Sequence, residues 1–78
     1  MTNTEINNDD ENGLLPYQQR VVSEKAELDD RLGKLNTFLD TSTFNAMHND
    51  ERARMIRQHY HMVELSKVLG ERVDAFLP

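Results

Sequence analysis

The chain has 78 residues, a formal net charge of −5 and no cysteine. This length limits it to one domain, and the lack of cysteine excludes the disulfides that stabilise many small domains. The negative charge argues against a general nucleic-acid binder, because such proteins usually carry a basic stripe that neutralises phosphates.

Residues 1–13 are predicted to form a disordered acidic tail. They hold four of the 14 acidic residues, and Ile6 is their only sizeable apolar residue after Met1. Such a segment buries too little surface to offset the entropy lost on ordering. The folded domain is therefore expected at residues 14–78. No apolar run approaches the roughly 18 residues of a membrane span, and no signal-peptide pattern is present, so we expect a cytoplasmic protein.

A long amphipathic helix is predicted from about Leu15 to Leu39. Pro16 suits its first turn, because the missing N–H of proline would have no helical partner there. The stretch DTST then ends the helix, because these side chains compete for backbone hydrogen bonds. The apolar residues follow heptad spacing and form a seam that faces a partner helix. The seam contains Val21, Leu28, Leu32, Leu35 and Leu39.

Two residues interrupt this pattern. Lys25 falls on the seam, where it either extends its ammonium group to water or is held there for a purpose. Gly33 costs a helix about 1 kcal/mol relative to alanine, so close packing or a local bend is expected to compensate.

The stretch TFNAMH predicts a single helical turn, with Phe44 and Met47 covering the end of the core. A second helix is expected from about Asp50 to Phe76, with Asn49 or Asp50 as its N-cap. Its seam continues the heptad spacing and has gaps at His59 and Ser66. The apolar seam residues are Met55, Met62, Leu69, Val73 and Phe76.

The apolar face of the second helix is wider than one seam. Ile56, Val63 and Leu77 lie beside it, and a two-helix hairpin alone would leave part of this face exposed. The sequence therefore predicts an all-α, antiparallel two-helix hairpin with a short connecting helical turn, which assembles into a homo-oligomeric helical bundle.

Catalytic motifs are absent from the sequence. It has no glycine-rich phosphate loop, no glycine-flanked serine and no cysteine nucleophile, so we expect neither an enzyme nor a bound cofactor. His59 and His61 are two apart and lie on different sides of a helix. His61 and Glu64 are suitably spaced but lack further ligands, so no metal site is predicted. His59 is expected in the core or at an interface.

The window ERARMIRQHYH contains Arg52, Arg54 and Arg57 beside two histidines. It suits an anionic ligand. The favoured interpretation is a solvated helix face whose charges are balanced by Glu51 and its neighbours.

Tyr17 and Arg20 are three residues apart and share one helix face. An aromatic ring stacks on a nucleotide base and a guanidinium binds phosphate through two hydrogen bonds, so this pair suits a nucleotide. The residues alone favour a structural interpretation, in which Arg20 pairs with Glu24 and Tyr17 fastens the helix entry to the core.

The stretches YQQRVVSEKAELDDRLGKLNTF and LGERVDAF resemble a family of small phage and prophage proteins related to those of crAss-like phages. The resemblance extends from Leu15 to Phe76. In size and hairpin layout the chain is also similar to the phage anti-CBASS and anti-Thoeris sponges, which trap cyclic nucleotides between subunits without cleaving them.

This second resemblance implies a phage protein that sequesters a cyclic oligonucleotide or cyclic ADP-ribose signal in the host cytoplasm. The implied ligand-binding residues are Tyr17 and Arg20, with Lys25 and Arg31. The alternative is an interaction module that inhibits a host protein through an exposed helical face.

Overall fold

The computed structural model describes residues 13–76. It contains three helices, α1 (Pro16–Leu39), α2 (Ser42–Asn45) and α3 (Asn49–Phe76). Helices are the regular elements of this described part, which confirms the predicted all-α class. The predicted tail lies outside the described residues except for Gly13, and so does Leu77. No helix in the described range is long and apolar enough to cross a membrane.

The start of α1 is fixed by backbone geometry and one side chain. Gly13 has a φ of 67°, a left-handed conformation that glycine adopts without strain. Leu15 is the N-cap residue, and its N–H donates to Oε1 of Gln18 at 2.8 Å. The helix therefore begins at Pro16, as its fixed φ favours.

Thr41 connects the first two helices. Its hydroxyl donates to the carbonyl of Phe38 at 2.6 Å and accepts from the N–H of Phe44 at 3.2 Å. One side chain thus satisfies a carbonyl at the end of α1 and an N–H at the start of α2. Phe44 is buried and Met47 is half-buried, which confirms that this turn covers the end of the core.

The predicted N-cap of the second helix is wrong by one residue. Helix α3 already includes Asn49, and His48 precedes it. The N–H of Asp50 donates to Nδ1 of His48 at 3.1 Å, and the N–H of Arg52 donates to the His48 carbonyl at 3.0 Å. A histidine ring nitrogen therefore caps the helix, where an amide or carboxylate oxygen was predicted.

Helices α1 and α3 pack antiparallel. Tyr17 contacts Phe76, and Lys25 bonds to Ser66 forty-one residues later, so the start of one helix lies beside the end of the other. The predicted seams are confirmed, since every one of their apolar residues is buried or half-buried. The most buried of them are Val21, Leu28 and Leu69.

Close packing does not explain Gly33. A Cβ built there would meet no atom within 4 Å. Its carbonyl accepts a hydrogen bond from the Thr37 hydroxyl at 3.2 Å. The close-packing interpretation is therefore wrong.

Candidate ligand-binding surface

Tyr17 lies in the first turn of α1 with its ring partly free. The ring meets Phe76 edge to face, with centroids 6.1 Å apart. Nevertheless 48% of the residue stays exposed. The contact agrees with the structural role considered for Tyr17, and the exposure leaves one part of the ring accessible for stacking.

Arg20 is exposed and lies along a groove on the outer side of α1. The groove has a volume of about 530 Å³. Its described lining comprises Pro16, Gln19, Arg20, Ser23, Glu24 and Glu27. No ion pair joins Arg20 to Glu24, both of which the structure describes, so the predicted alternative pairing is not formed. Two carboxylates outnumber the one guanidinium, and this groove by itself is a poor site for an anion.

Lys25 is held by a three-residue network across the hairpin. Its Nζ donates to Oδ2 of Asp29 at 2.7 Å and to Oγ of Ser66 at 3.1 Å. The Ser66 hydroxyl in turn donates to Oδ1 of Asp29 at 2.5 Å. The hydrogen bonds from Lys25 and then Ser66 lower the pKa of Asp29 below its ordinary value. Lys25 is thus kept at the seam by partners, and does not simply extend into water.

A second polar contact crosses the hairpin nearer its turn. Nε2 of His59 and Oδ1 of Asn36 are 2.5 Å apart and share a hydrogen bond. This places His59 at the interface between the helices, as predicted. Both gaps in the apolar seam of α3, His59 and Ser66, therefore bond to polar residues of α1.

These contacts define two sides of the hairpin. Each helical residue advances about 100° around the axis. The paired side carries the bonded residues Lys25, Asp29, Asn36, His59 and Ser66. The other flank, called the tyrosine side, carries Tyr17, Arg20 and Arg31 of α1, because their helical spacing places them about 80°, 140° and 120° from Lys25 around the axis.

The four predicted ligand-binding residues are therefore not brought together within one chain. Lys25 lies on the paired side, and the other three lie on the tyrosine side. Arg31 is eleven residues beyond Arg20, which corresponds to roughly 16 Å along the helix axis. Only Tyr17 and Arg20 are close enough to contact the same small group. The assignment of all four residues stays a prediction.

The basic window divides into three different environments. The guanidinium of Arg52 lies over the ring of Phe44, 5.4 Å from its centroid. Arg54 pairs with Glu51 at 2.8 Å, as the solvated-face interpretation requires. Arg57 is exposed and makes no ion pair with any residue between 13 and 76.

Sequence reasoning missed the partners of Lys25 and the packing of Arg52. Asp29 was detectable, because it is four residues beyond Lys25 and shares its face. Ser66 and Phe44 come from other elements, so finding them requires the register of the hairpin. Among residues 13–76 no three histidine, aspartate or glutamate side chains converge as metal ligands.

The fold and this surface define a small all-helical hairpin protein that exposes an aromatic ring and arginines on one side. The chain belongs to the Sequestin family, whose model matches residues 15–75. This match covers α1, α2 and all but the last residue of α3. A search of curated proteins and a search of solved structures each gave no match.

Proposed function

We propose that this protein is a phage-encoded sponge that binds and sequesters a nucleotide-type immune signal, of the cyclic oligonucleotide or cyclic ADP-ribose class. The observation that carries the proposal is membership of the Sequestin family, whose name is compatible with a sequestering role. Binding of such a signal in the host cytoplasm removes it from the antiviral receptor without any chemical step.

The ligand surface supports this proposal by its residue types. The exposed part of Tyr17 offers a ring for a base, and Arg20 offers a guanidinium for phosphate. A sponge needs abundance and affinity, and it needs no nucleophile or general base. The proposed function is accordingly binding without catalysis.

Self-association belongs to the same proposal. One hairpin places Lys25 on the paired side and Arg31 about 21 Å along the helix axis from Tyr17, whereas a second copy can bring equivalent residues to one pocket. The core of a single chain is also small, with four buried apolar residues in the described range. Domains of this size often need partner subunits for stability. A homo-oligomer with pockets between subunits meets both needs.

A second candidate function rests on a different surface. Four large apolar residues of α3 are exposed, which suits an interaction module that docks on a host protein. They are Ile56, Tyr60, Leu65 and Val68. If self-assembly leaves this surface uncovered and no small ligand binds, the interaction module is the better account.

Thermal unfolding of the full chain at fixed concentration tests the proposal. The panel contains cyclic dinucleotides, cyclic trinucleotides and cyclic ADP-ribose isomers. A ligand that binds only the folded state adds about 2.7 kcal/mol at a hundredfold excess over its Kd. We expect a higher midpoint with one ligand class. An unchanged midpoint with every ligand of the panel, for a folded protein, contradicts the proposal for these signals.

Two tyrosine variants locate the binding surface. Tyr17→Ala is expected to abolish the ligand-induced shift while light scattering shows the same assembly as the wild type. Tyr60→Ala is the matched control, because Tyr60 is also exposed but lies on α3 beside His61. Equal losses in both variants would argue against a site at Tyr17.

A further inference from the structure

The open end of the hairpin, where the first turn of α1 lies beside the last turns of α3, carries a second arginine. Arg72 is exposed and precedes Phe76 by one helical turn. Phe76 contacts Tyr17, and Arg20 follows Tyr17 by three residues. Along the axis of α1, Arg20 lies about 4.5 Å from Tyr17 towards the turn, and along the axis of α3, Arg72 lies about 6 Å from Phe76 in the same direction. The two arginines therefore lie at nearly the same level.

Both arginines also lie on the same side of the hairpin. On α3, Ser66 marks the paired side, and Arg72 lies about 120° from it around the axis, beyond Leu69. On α1, Lys25 marks the paired side, and Arg20 lies about 140° from it, beyond Val21. The paired flanks of α1 and α3 lie on one side of the hairpin. The other flank of each helix therefore lies on the opposite side, where the two flanks are next to each other. Arg72 therefore belongs to the tyrosine side, next to Arg20.

Neither guanidinium forms an ion pair or a side-chain hydrogen bond within the described part of the chain. The ion pairs there involve other residues, and no side-chain hydrogen bond engages Arg20 or Arg72. Glu24, one turn beyond Arg20, offsets a single arginine. With Arg72 at the same level, two arginines stand against the one carboxylate, Glu24, that lies within a turn of them on the tyrosine side. Glu71 and Asp74 lie on other faces of α3 by helical spacing.

We propose that Arg72 is a ligand-binding residue, which forms with Arg20 and Tyr17 a phosphate-binding site at the open end of the hairpin. The ligand class is a nucleotide with a phosphodiester or pyrophosphate group: the guanidinium groups of both helices bind the phosphate oxygens, and the Tyr17 ring stacks on the base. This inference rests on the proposed function and adds to it a residue from the second helix.

The test measures binding of inorganic pyrophosphate and of the cyclic nucleotide panel to the full chain by titration calorimetry and phosphorus NMR. The variants are Arg72→Gln and Arg20→Gln. Arg57→Gln is the matched control, because it removes an exposed arginine of the same helix about 22 Å away. Since Arg72 has no described partner, the variant should keep the wild-type circular dichroism and thermal midpoint.

We expect Arg72→Gln and Arg20→Gln each to weaken pyrophosphate binding about tenfold or more, and Arg57→Gln to leave it within about twofold. Arg72→Lys should lie between, because it keeps the charge and loses the planar fork. Unchanged binding by Arg72→Gln would overturn the inference, and so would an equal loss in Arg57→Gln.

The outcomes separate the inference from the proposed function. Loss of nucleotide binding in Arg20→Gln but not in Arg72→Gln overturns the role of Arg72 and leaves the sponge in place. Pyrophosphate binding that depends on Arg72, with no binding of any cyclic nucleotide, supports the site and contradicts the sponge for these signals. A wild-type chain that binds neither probe overturns both.

Discussion

Two aromatic pairs close the two ends of the hairpin with nearly the same geometry. At the turn, the rings of Phe38 and Phe44 are 6.1 Å apart at 75°, and at the open end those of Tyr17 and Phe76 are 6.1 Å apart at 77°. Their surroundings differ, because Phe44 is 5% exposed and Tyr17 is 48% exposed. Equal ring geometry therefore has unequal consequences: the turn end is a small core, and the open end is a surface.

The turn end is further enclosed by a cation. The Arg52 guanidinium covers the ring of Phe44, and Thr41 fixes the backbone on both sides of the turn. At the open end, Arg20 and Arg72 have no such contact with a described residue. Similar residue types are thus used for packing at one end and left accessible at the other.

The largest expected effect comes from Phe44→Ala. Removal of a buried aromatic ring should cost about 3 kcal/mol or more in the free energy of unfolding, whereas Tyr17→Ala should cost about 1 kcal/mol. Urea unfolding at matched protein concentration measures both. Phe44→Leu serves as a milder variant that keeps the chain folded, with an expected cost of about 1 kcal/mol. If Tyr17→Ala proves as costly as Phe44→Ala, the two ends do not differ as described.

Much of this fold could be predicted because heptad spacing alone identifies the residues that face a partner. The spacing gave the seam of α1 from Val21 to Leu39 and that of α3 from Met55 to Phe76. It did not give the cap at His48, because histidine is not a usual N-cap and its acceptor nitrogen depends on the tautomer.

The site was harder to predict than the fold. Tyr17 and Arg20 share a face through local spacing, so the sequence brings them together without knowledge of the tertiary structure. Ser66 meets α1 only through the register between the helices, which is set by the connection at residues 40–48. Local periodicity contains no information on that register, and the contact of Ser66 with Lys25 and Asp29 was therefore missed.

The next effect concerns the hydrogen bonds of the paired side. Ser66→Ala should cost about 1 kcal/mol, because it removes the hydroxyl that joins α3 to Lys25 and Asp29 of α1. Thr37→Ala is the control, since among residues 13–76 its hydroxyl bonds to the Gly33 carbonyl of its own helix and to no residue of α3. Urea unfolding should rank Ser66→Ala as the more damaging change. The reverse order would show that the paired side does not hold the two helices together.

The two helical glycines give an effect of similar size and opposite sign. Gly33→Ala should stabilise the protein by about 1 kcal/mol, because an added Cβ meets nothing within 4 Å and alanine favours a helix. Gly70→Ala should gain less, because its Cβ would lie 3.3 Å from Cε of Lys25 and displace that side chain. Thermal unfolding compares the two variants. A larger gain at Gly70 would mean that Lys25 moves aside without weakening its network.

The smallest effect is a dependence on pH that belongs to the paired side. Asp29 has a lowered pKa in the folded chain, through its hydrogen bonds from Lys25 and Ser66. Its contribution is therefore present above the ordinary aspartate range, near pH 4, and is lost as the pH falls through the lower folded value. The stability difference between the wild type and Asp29→Asn should accordingly be larger at pH 7 than at about pH 3. Asp30→Asn controls for loss of a surface charge, since Asp30 is exposed and pairs with exposed Lys34 of the same helix. A difference for Asp29→Asn that stays constant with pH would mean that the carboxylate charge is not what joins α1 to Ser66.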